Sequence, residues 1–243
     1  MQDEEDVIYE GKAKYLLEHP GDADHVVQRF KDDATAFNGE KFAQFEGKGR
    51  LNCAISSHLF EELEERGIST HFRRRLGDTD MLVERLEIVP VEVVVRNLVA
   101  GSLKGRTGYE RGREVDPPIV EWFYKSDELD DPVLSEEHIR YMEICDSETL
   151  AEIETKAREV NTALVEMFGE AGLLLADVKF EFGFDSAREV VLGDELSPDV
   201  ARIWDEEDHR RLDKDVFRKD IGDLIEAYEE VADRLGAEVE AVD

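Results

Sequence analysis

The chain has 243 residues, with 30 lysines and arginines against 61 aspartates and glutamates, for a formal net charge of −31. Its 41% hydrophobic content, with 12 Phe, 6 Tyr and 2 Trp, is enough apolar material for a core and excludes wholesale disorder. The charge repels nucleic acid and anionic membranes, no run of about 18 apolar residues offers a span, and Cys53 and Cys145 lie too far apart for a CxxC site.

The acidic start, MQDEEDVIYE, lacks the apolar stretch of a secretory signal, so a reduced, cytoplasmic protein without nucleic-acid or membrane partners is expected. The acids are spread along the whole chain, and only 11 of the cations are lysine. Such a surface suits a salt-rich cell interior, where screening removes self-repulsion, so a halophilic source is expected.

In chain order, residues 7–17 alternate as a strand, Glu18-His19-Pro20-Gly21-Asp22 reads as a turn, and residues 25–30 form a second strand. Leu51, Ala54, Ile55, Leu59 and Leu63 recur at helical spacing and predict a helix over 49–66, stopped by Gly67. Residues 79–99 read as strands, with Pro90 at a start or an edge. Asp116-Pro117-Pro118 and Asp131-Pro132 punctuate a loop-rich middle. Ser147 caps a long helix reaching about residue 170, with Leu150, Ile153, Ala157, Val160 and Leu164 in its apolar stripe. Residues 173–183 and 189–194 form a hairpin, and a last helix over about 215–235 buries Ile221, Leu224, Ile225, Tyr228, Val231 and Leu235. Strands first and mixed elements after predict an α+β protein in two lobes, divided near residues 86–90, with a ligand between them.

Three constellations carry chemistry. In Leu175-Ala176-Asp177-Val178-Lys179-Phe180-Glu181-Phe182-Gly183, alternation sends Val178, Phe180 and Phe182 to a core and Asp177, Lys179 and Glu181 to the other face. Glu181 and Asp194, across the hairpin, suit Mg²⁺ on nucleotide phosphates. The alternative is an exposed ladder of ion pairs, which alternation alone favours. Lys12 and Lys14, beside Gly11, place two ammonium groups on one strand face, as a polyphosphate requires; two exposed hairpin lysines are the plainer reading. In Val89–Ser102, Arg96 and Glu92 share one strand face, and the small-residue loop Gly101-Ser102 follows. Arg, hydroxyl and glycine N–H suit a phosphate monoester, and a structural Glu92–Arg96 pair is the alternative. Arg202, in Ser197-Pro198-Asp199-Val200-Ala201-Arg202, can return a cation to the same cleft, while Lys41, Lys48 and Arg50 carry little weight alone.

Other chemistries lack their residues. Six histidines show no close ligand spacing, so zinc is not expected. No Walker A loop, GxSxG elbow, protein-kinase triplet or GxGxxG after a strand is present. Cys53 lies on the helical pattern and reads as packed.

VPVEVVVRNLVAGS (89–102) and LLADVKFEFG (174–183) resemble the two signature motifs of the SAICAR synthetase family. The resemblance continues through YEGKAK (9–14), FNGEKFAQFEGKG (37–49), KSDELDDP (125–132) and VVLGDELSPDVARIWD (190–205). It implies an ATP-grasp-like fold, with a β-rich N-terminal lobe over residues 1–86 and an α+β lobe with a C-terminal helix over 87–243. It also implies an ATP-dependent ligase that joins L-aspartate to the carboxylate of carboxyaminoimidazole ribonucleotide (CAIR). SAICAR, ADP and phosphate are formed through an acyl phosphate, in purine biosynthesis.

By the same resemblance, Lys12, Ala13 and Lys14 hold ATP phosphates, and adenine lies by Glu84, Arg85 and Leu86. Glu181 and Asp194 hold Mg²⁺, with Asp177 and Lys179 at the reacting carboxylate. Arg96, Ser102 and Arg202 bind CAIR, and Lys125 and Asp131 help place aspartate. Some members carry an acid where this chain has Asn38. A homo-oligomer is implied, and the cleft is expected to be locally positive within the acidic surface. A different carboxylate–amine ligase, a nucleotide-binding module without turnover and an acidic scaffold are the rivals.

Overall fold

The computed structural model describes residues 7–36 and 39–240; Asn38 lies outside them. The first strand expected from alternation is two, β1 (Val7–Glu10) and β2 (Lys14–Glu18), because the chain turns at Gly11, whose N–H donates to the Lys14 carbonyl at 2.8 Å. β3 (His25–Phe30) falls where expected. A hairpin of β4 (Asp33–Ala36) and β5 (Lys41–Gln44) precedes α1 (Lys48–Glu65), which starts after left-handed Gly47. β6 (Phe72–Arg75) and β7 (Asp80–Glu84) complete an antiparallel five-stranded sheet, β1-β2-β3-β7-β6.

A second sheet begins with β8 (Glu87–Leu98). Pro90 lies inside this strand, not at its start. The register with its neighbour shifts between Glu92 and Ile88, so a bulge takes the residue that lacks an N–H. The Gly101 segment, expected as a loop, winds into α2 (Gly101–Thr107). The middle is also more regular than its prolines suggest. β9 (Glu114–Tyr124) pairs with β8 and carries Pro117 and Pro118 in a bulge between the Glu114 and Ile119 pairings. β10 (Val133–Leu134) and α3 (Glu136–Tyr141) follow a short 3₁₀ turn at 127–129.

The long helix α4 (Ser147–Glu170) is capped by Asp146, not Ser147: the Asp146 carboxylate accepts from the Thr149 N–H at 2.8 Å. It packs on β11 (Leu173–Phe184), the central strand, which pairs with β8, β12 (Val190–Leu192) and β13 (Ala201–Asp205). Val178, Phe180 and Phe182 are buried as expected, each stabilising by about 2 kcal/mol through area removed from water. The last helix is broken in two. α5 (Asp215–Lys219) ends at left-handed Asp220, and Asp223 caps α6 (Leu224–Leu235) through the N–H groups of Ile225 and Glu226. Ile221 falls in the break and is exposed, so it is not part of the buried stripe.

Among the described residues, strands from 7–84 build the five-stranded sheet and the separate β4–β5 hairpin, and strands from 87–205 build the second large sheet. One core runs between them, and α1 packs on α6. No helix among the described residues is long and apolar enough to cross a membrane.

Candidate active site

A cavity of about 1020 Å³ opens between the two sheets. The first sheet and its turn supply Lys12 and Lys14, the 84–86 linker forms one end, and β8 and β11 form the floor. Asp177, Lys179 and Glu181 all face it, because alternate residues of β11 share a face. Asp194 joins them from the turn after β12. The Gly193 N–H donates to the Glu181 carbonyl at 2.9 Å, and Gln28 holds the Asp194 carbonyl at 3.0 Å. Gly183 is required here: a Cβ would meet the Glu87 carbonyl oxygen at 2.9 Å.

At the centre, three ammonium groups surround two carboxylates. Lys179 Nζ lies 2.8 Å from Glu92 Oε1, 2.8 Å from Glu181 Oε1 and 3.9 Å from Asp194 Oδ2. Lys125 donates to Glu181, and Lys14 donates to Asp194 and, at 3.1 Å, to Glu195. Burial alone would raise the carboxylate pKa values, but Lys14, Lys179 and Lys125 hold Asp194 and Glu181 below the ordinary range. Burial likewise opposes the charge on Lys14 and Lys179, and the acids hold both above the ordinary lysine value. The exposed-ladder alternative is therefore excluded, since Glu181 and Asp177 are each 3% exposed.

A second cluster adjoins it. Asp177 accepts from Arg96 Nη1 at 2.8 Å and from Arg202 Nη1 at 2.9 and 3.0 Å. Arg96 also donates from Nε to Glu121 at 2.9 Å and from Nη2 to Ser102 Oγ at 3.2 Å. The Glu92–Arg96 pair does not form: four residues along a strand separate them by about 13 Å, and Glu92 pairs with Lys179 instead. Gly101, at φ 46°, leaves room for Arg202; a Cβ would lie 2.5 Å from its guanidinium carbon.

Other expected residues are placed as follows. Lys12 pairs with Asp127 at 2.7 Å across the cavity mouth. Ala13, Leu86, Lys125 and Asp131 line the cavity, and Asp131 also accepts from the Ser126 N–H at 2.9 Å. Arg85 also lines it, and its guanidinium is bonded to the Ala23 carbonyl and Glu18.

Several residues were not legible. Glu121 steadies Arg96, and Gln28 steadies the Asp194 turn. His71, nearly buried, lines the cavity beside Gly193 and Asp194, with neither ring nitrogen hydrogen-bonded, and burial drives its pKa down to about 3. Lys48 is fully buried on Asp199, while Lys214 and Arg218 reach the cavity from α5 and the residue before it. Of these, only Lys48 had a signal in the sequence, as one of the cations of the glycine-dotted stretch 39–50 that carry little weight alone.

The family model for SAICAR synthetase matches residues 7–235. The phosphoribosylaminoimidazole-succinocarboxamide synthase of Thermococcus kodakarensis is 53% identical over 231 residues, covering 95% of this chain and 97% of that protein. The crystal structure of the synthase of that name from Ehrlichia chaffeensis superposes with a TM-score of 0.93 at 42% identity, covering 96% of this chain and 99% of its own. A type-2 SAICAR synthetase in complex with ADP gives 0.91 at 48% identity, covering 97% and 99%. The chain belongs to the SAICAR synthetase family.

Proposed function

We propose that this chain is an ATP-dependent ligase that joins L-aspartate to the carboxylate of CAIR, giving SAICAR, ADP and phosphate in purine biosynthesis. The observation that carries the reading is the pairing of two clusters in one cavity. Lysines around Glu181 and Asp194 suit a nucleotide's phosphates, and the Arg96–Asp177–Arg202 group beside Ser102 suits a phosphorylated carboxylate substrate. Family membership supports the same assignment.

A carboxylate does not react with an amine at neutral pH. A CAIR carboxylate oxygen therefore attacks the γ-phosphorus of ATP, and ADP leaves. The aspartate nitrogen then attacks the acyl carbon, inorganic phosphate leaves, and the nitrogen gives up a proton. Positioning and charge neutralisation supply most of the catalysis. Lys12 and Lys14 bind phosphates from the first sheet, with Ala13 between them, and adenine rests by Arg85 and Leu86. Asp177 and Lys179 orient the reacting carboxylate. Arg96, Ser102 and Arg202 hold CAIR, and Lys125 with Asp131 shapes the aspartate side.

Glu181 and Asp194 fit Mg²⁺. Glu181 is a buried oxygen donor and Asp194 a half-buried one, both held ionised by lysines, and Mg²⁺ takes one or two carboxylates together with substrate phosphates. When bound, the ion neutralises charge on the transferring phosphoryl group.

The division into lobes over 1–86 and 87–243, cytoplasmic location and a homo-oligomeric state belong to the same proposal; sedimentation tests the last. The central test is ADP release by the purified protein in molar KCl with Mg–ATP, CAIR and L-aspartate, omitting each in turn. Release that requires all three is expected. Release indifferent to CAIR or to aspartate refutes the substrate assignment.

A further inference from the structure

Below the cavity lies a buried ionic group outside the two clusters described. Lys48, the first residue of α1, has no exposed surface, and its Nζ lies 2.6 Å from Asp199 Oδ2. Tyr228 of α6, also fully buried, donates its hydroxyl to Asp199 Oδ1 at 2.6 Å. Both carboxylate oxygens of Asp199 are thus engaged from below. A second cation, Lys214, faces the same Oδ2 at 3.9 Å, beyond hydrogen-bond reach, and lines the cavity with Arg202 and Arg218.

One carboxylate cannot neutralise two ammonium groups. Lys48 holds the short contact, so Lys214, which lines the cavity, is left with only the longer approach to Asp199. Burial and the repulsion of Lys48 and Arg218 lower the Lys214 pKa, and Asp199 and Glu195 oppose this. A carboxylate arriving from the cavity would meet an ammonium group with no hydrogen-bonded acid of its own among the described residues. The turn carrying Asp199 is also tied to Lys14. The Asp199 N–H donates to Ser197 Oγ at 3.1 Å, Ser197 donates to Glu195 Oε2 at 2.5 Å, and Glu195 Oε1 receives Lys14 at 3.1 Å.

We propose that Lys48 and Tyr228 are positioning residues that saturate Asp199, so that Lys214 stays available to a substrate carboxylate. The inference rests on the ligase reading above, in which both CAIR and aspartate bring carboxylates. Neither Lys48 nor Tyr228 lines the cavity, so each acts through Asp199.

Lys48→Met leaves Asp199 Oδ2 without its ammonium group, and Lys214 is the nearest replacement. The variant is expected to raise the KM of one carboxylate substrate about tenfold, with kcat lowered less than about threefold and the KM of ATP within about twofold. CAIR and aspartate are titrated in separate arms, and the arm that moves identifies the carboxylate at Lys214. The double variant Lys48→Met/Asp199→Asn removes the competing acid and is expected to return that KM to within about threefold of wild type. Tyr228→Phe, which keeps the ring, shifts the same KM in the same direction by a smaller factor. A purely structural role predicts no such rescue.

A crystal structure of the Lys48→Met protein, or of Tyr228→Phe if the first does not fold, reads the geometry without turnover. Lys214 moves into hydrogen-bond contact with Asp199, or the proposal is wrong. Unchanged KM values for both carboxylate substrates, or no recovery in the double variant, also overturn it. Wild-type turnover tests the ligase reading separately, so the two failures are distinguishable.

Discussion

His71 gives the sharpest test of the electrostatics of the cavity wall. Its imidazole is 4% exposed, stands edge-on to Phe60 with centroids 5.1 Å apart, and has no hydrogen bond at either nitrogen. Burial is the main cause of its depressed pKa; Lys14 and Arg73 add to it, and Asp194 opposes it. The value falls from 6.5 to about 3. A depressed folded-state pKa means that its contribution is fully present above pH 6.5 and is lost as pH falls toward 3. At pH 4.5, two units below the unfolded value, the unfolded chain has gained the proton and the folded one has not. The loss is about 2.7 kcal/mol, at about 1.36 kcal/mol per unit.

His71→Leu removes this linkage. Urea unfolding at pH 7.5 and at pH 4.5, at one KCl concentration, gives the change in stability for each protein. Buried carboxylates titrate in both proteins, so the difference between the two changes isolates His71. The wild type is expected to lose about 2.7 kcal/mol more than the variant. Any difference in packing between Leu and imidazole appears at both pH values and cancels. Equal losses, within about 0.5 kcal/mol, would refute the claim that this imidazole is held neutral by burial.

Three further outcomes are expected. Glu181→Gln should lower kcat at least about a hundredfold and weaken the Mg²⁺ dependence of ATP binding, measured by calorimetry with and without the ion. Ser102→Ala should raise the KM of CAIR about tenfold, with ATP affinity unchanged; Arg96→Ala is a poorer probe, because it also removes one of the two arginines on buried Asp177 and one of the two on Glu121, so lost stability accompanies lost binding. Salt gives a test of the whole surface: unfolding at low ionic strength and folding in molar KCl are expected from the charge of −31, and equal stability in both rejects a salt-adapted surface.

The elements legible in the sequence are those whose burial is periodic and complete. The Val178–Phe180–Phe182 face of β11 and the Leu150–Leu164 stripe of α4 each sit against one core, so pattern and structure coincide. β9 is different. Much of it is exposed or half-buried, its prolines imitate a loop, and the bulge that accommodates them depends on pairing with β8. The α5–α6 break had a local signal in Asp220, Gly222 and Asp223, but the apolar spacing runs across it and concealed it. At the site, residue types were legible and partnerships were not. Lys14 meets Asp194 180 positions away, and Arg96 abandons Glu92 for Asp177 and Glu121, choices made by sheet order rather than by local sequence. His71 had no signal, because a buried imidazole without partners leaves no pattern.

The charge of the cavity corrects the expectation of a locally positive cleft. Among the described residues, nine lysines and arginines line it, against ten aspartates and glutamates. The cavity is therefore nearly neutral, while the chain as a whole carries −31. Neutrality here comes from concentrating cations, since the lining takes nine of 30 basic residues but only ten of 61 acidic ones. Each central lysine is held by an acid, which keeps the ammonium groups apart and ionised before any ligand arrives. A polyphosphate entering this site replaces acid–lysine contacts instead of meeting bare positive charge. Its affinity then depends on what the released carboxylates do. If Glu181 and Asp194 pass to a divalent cation, the exchange leaves no buried charge unpaired. Nucleotide without such a cation would leave both carboxylates facing phosphate, and its binding should be far weaker. The order of these affinities, more than any long-range field, is what the composition of the cleft determines.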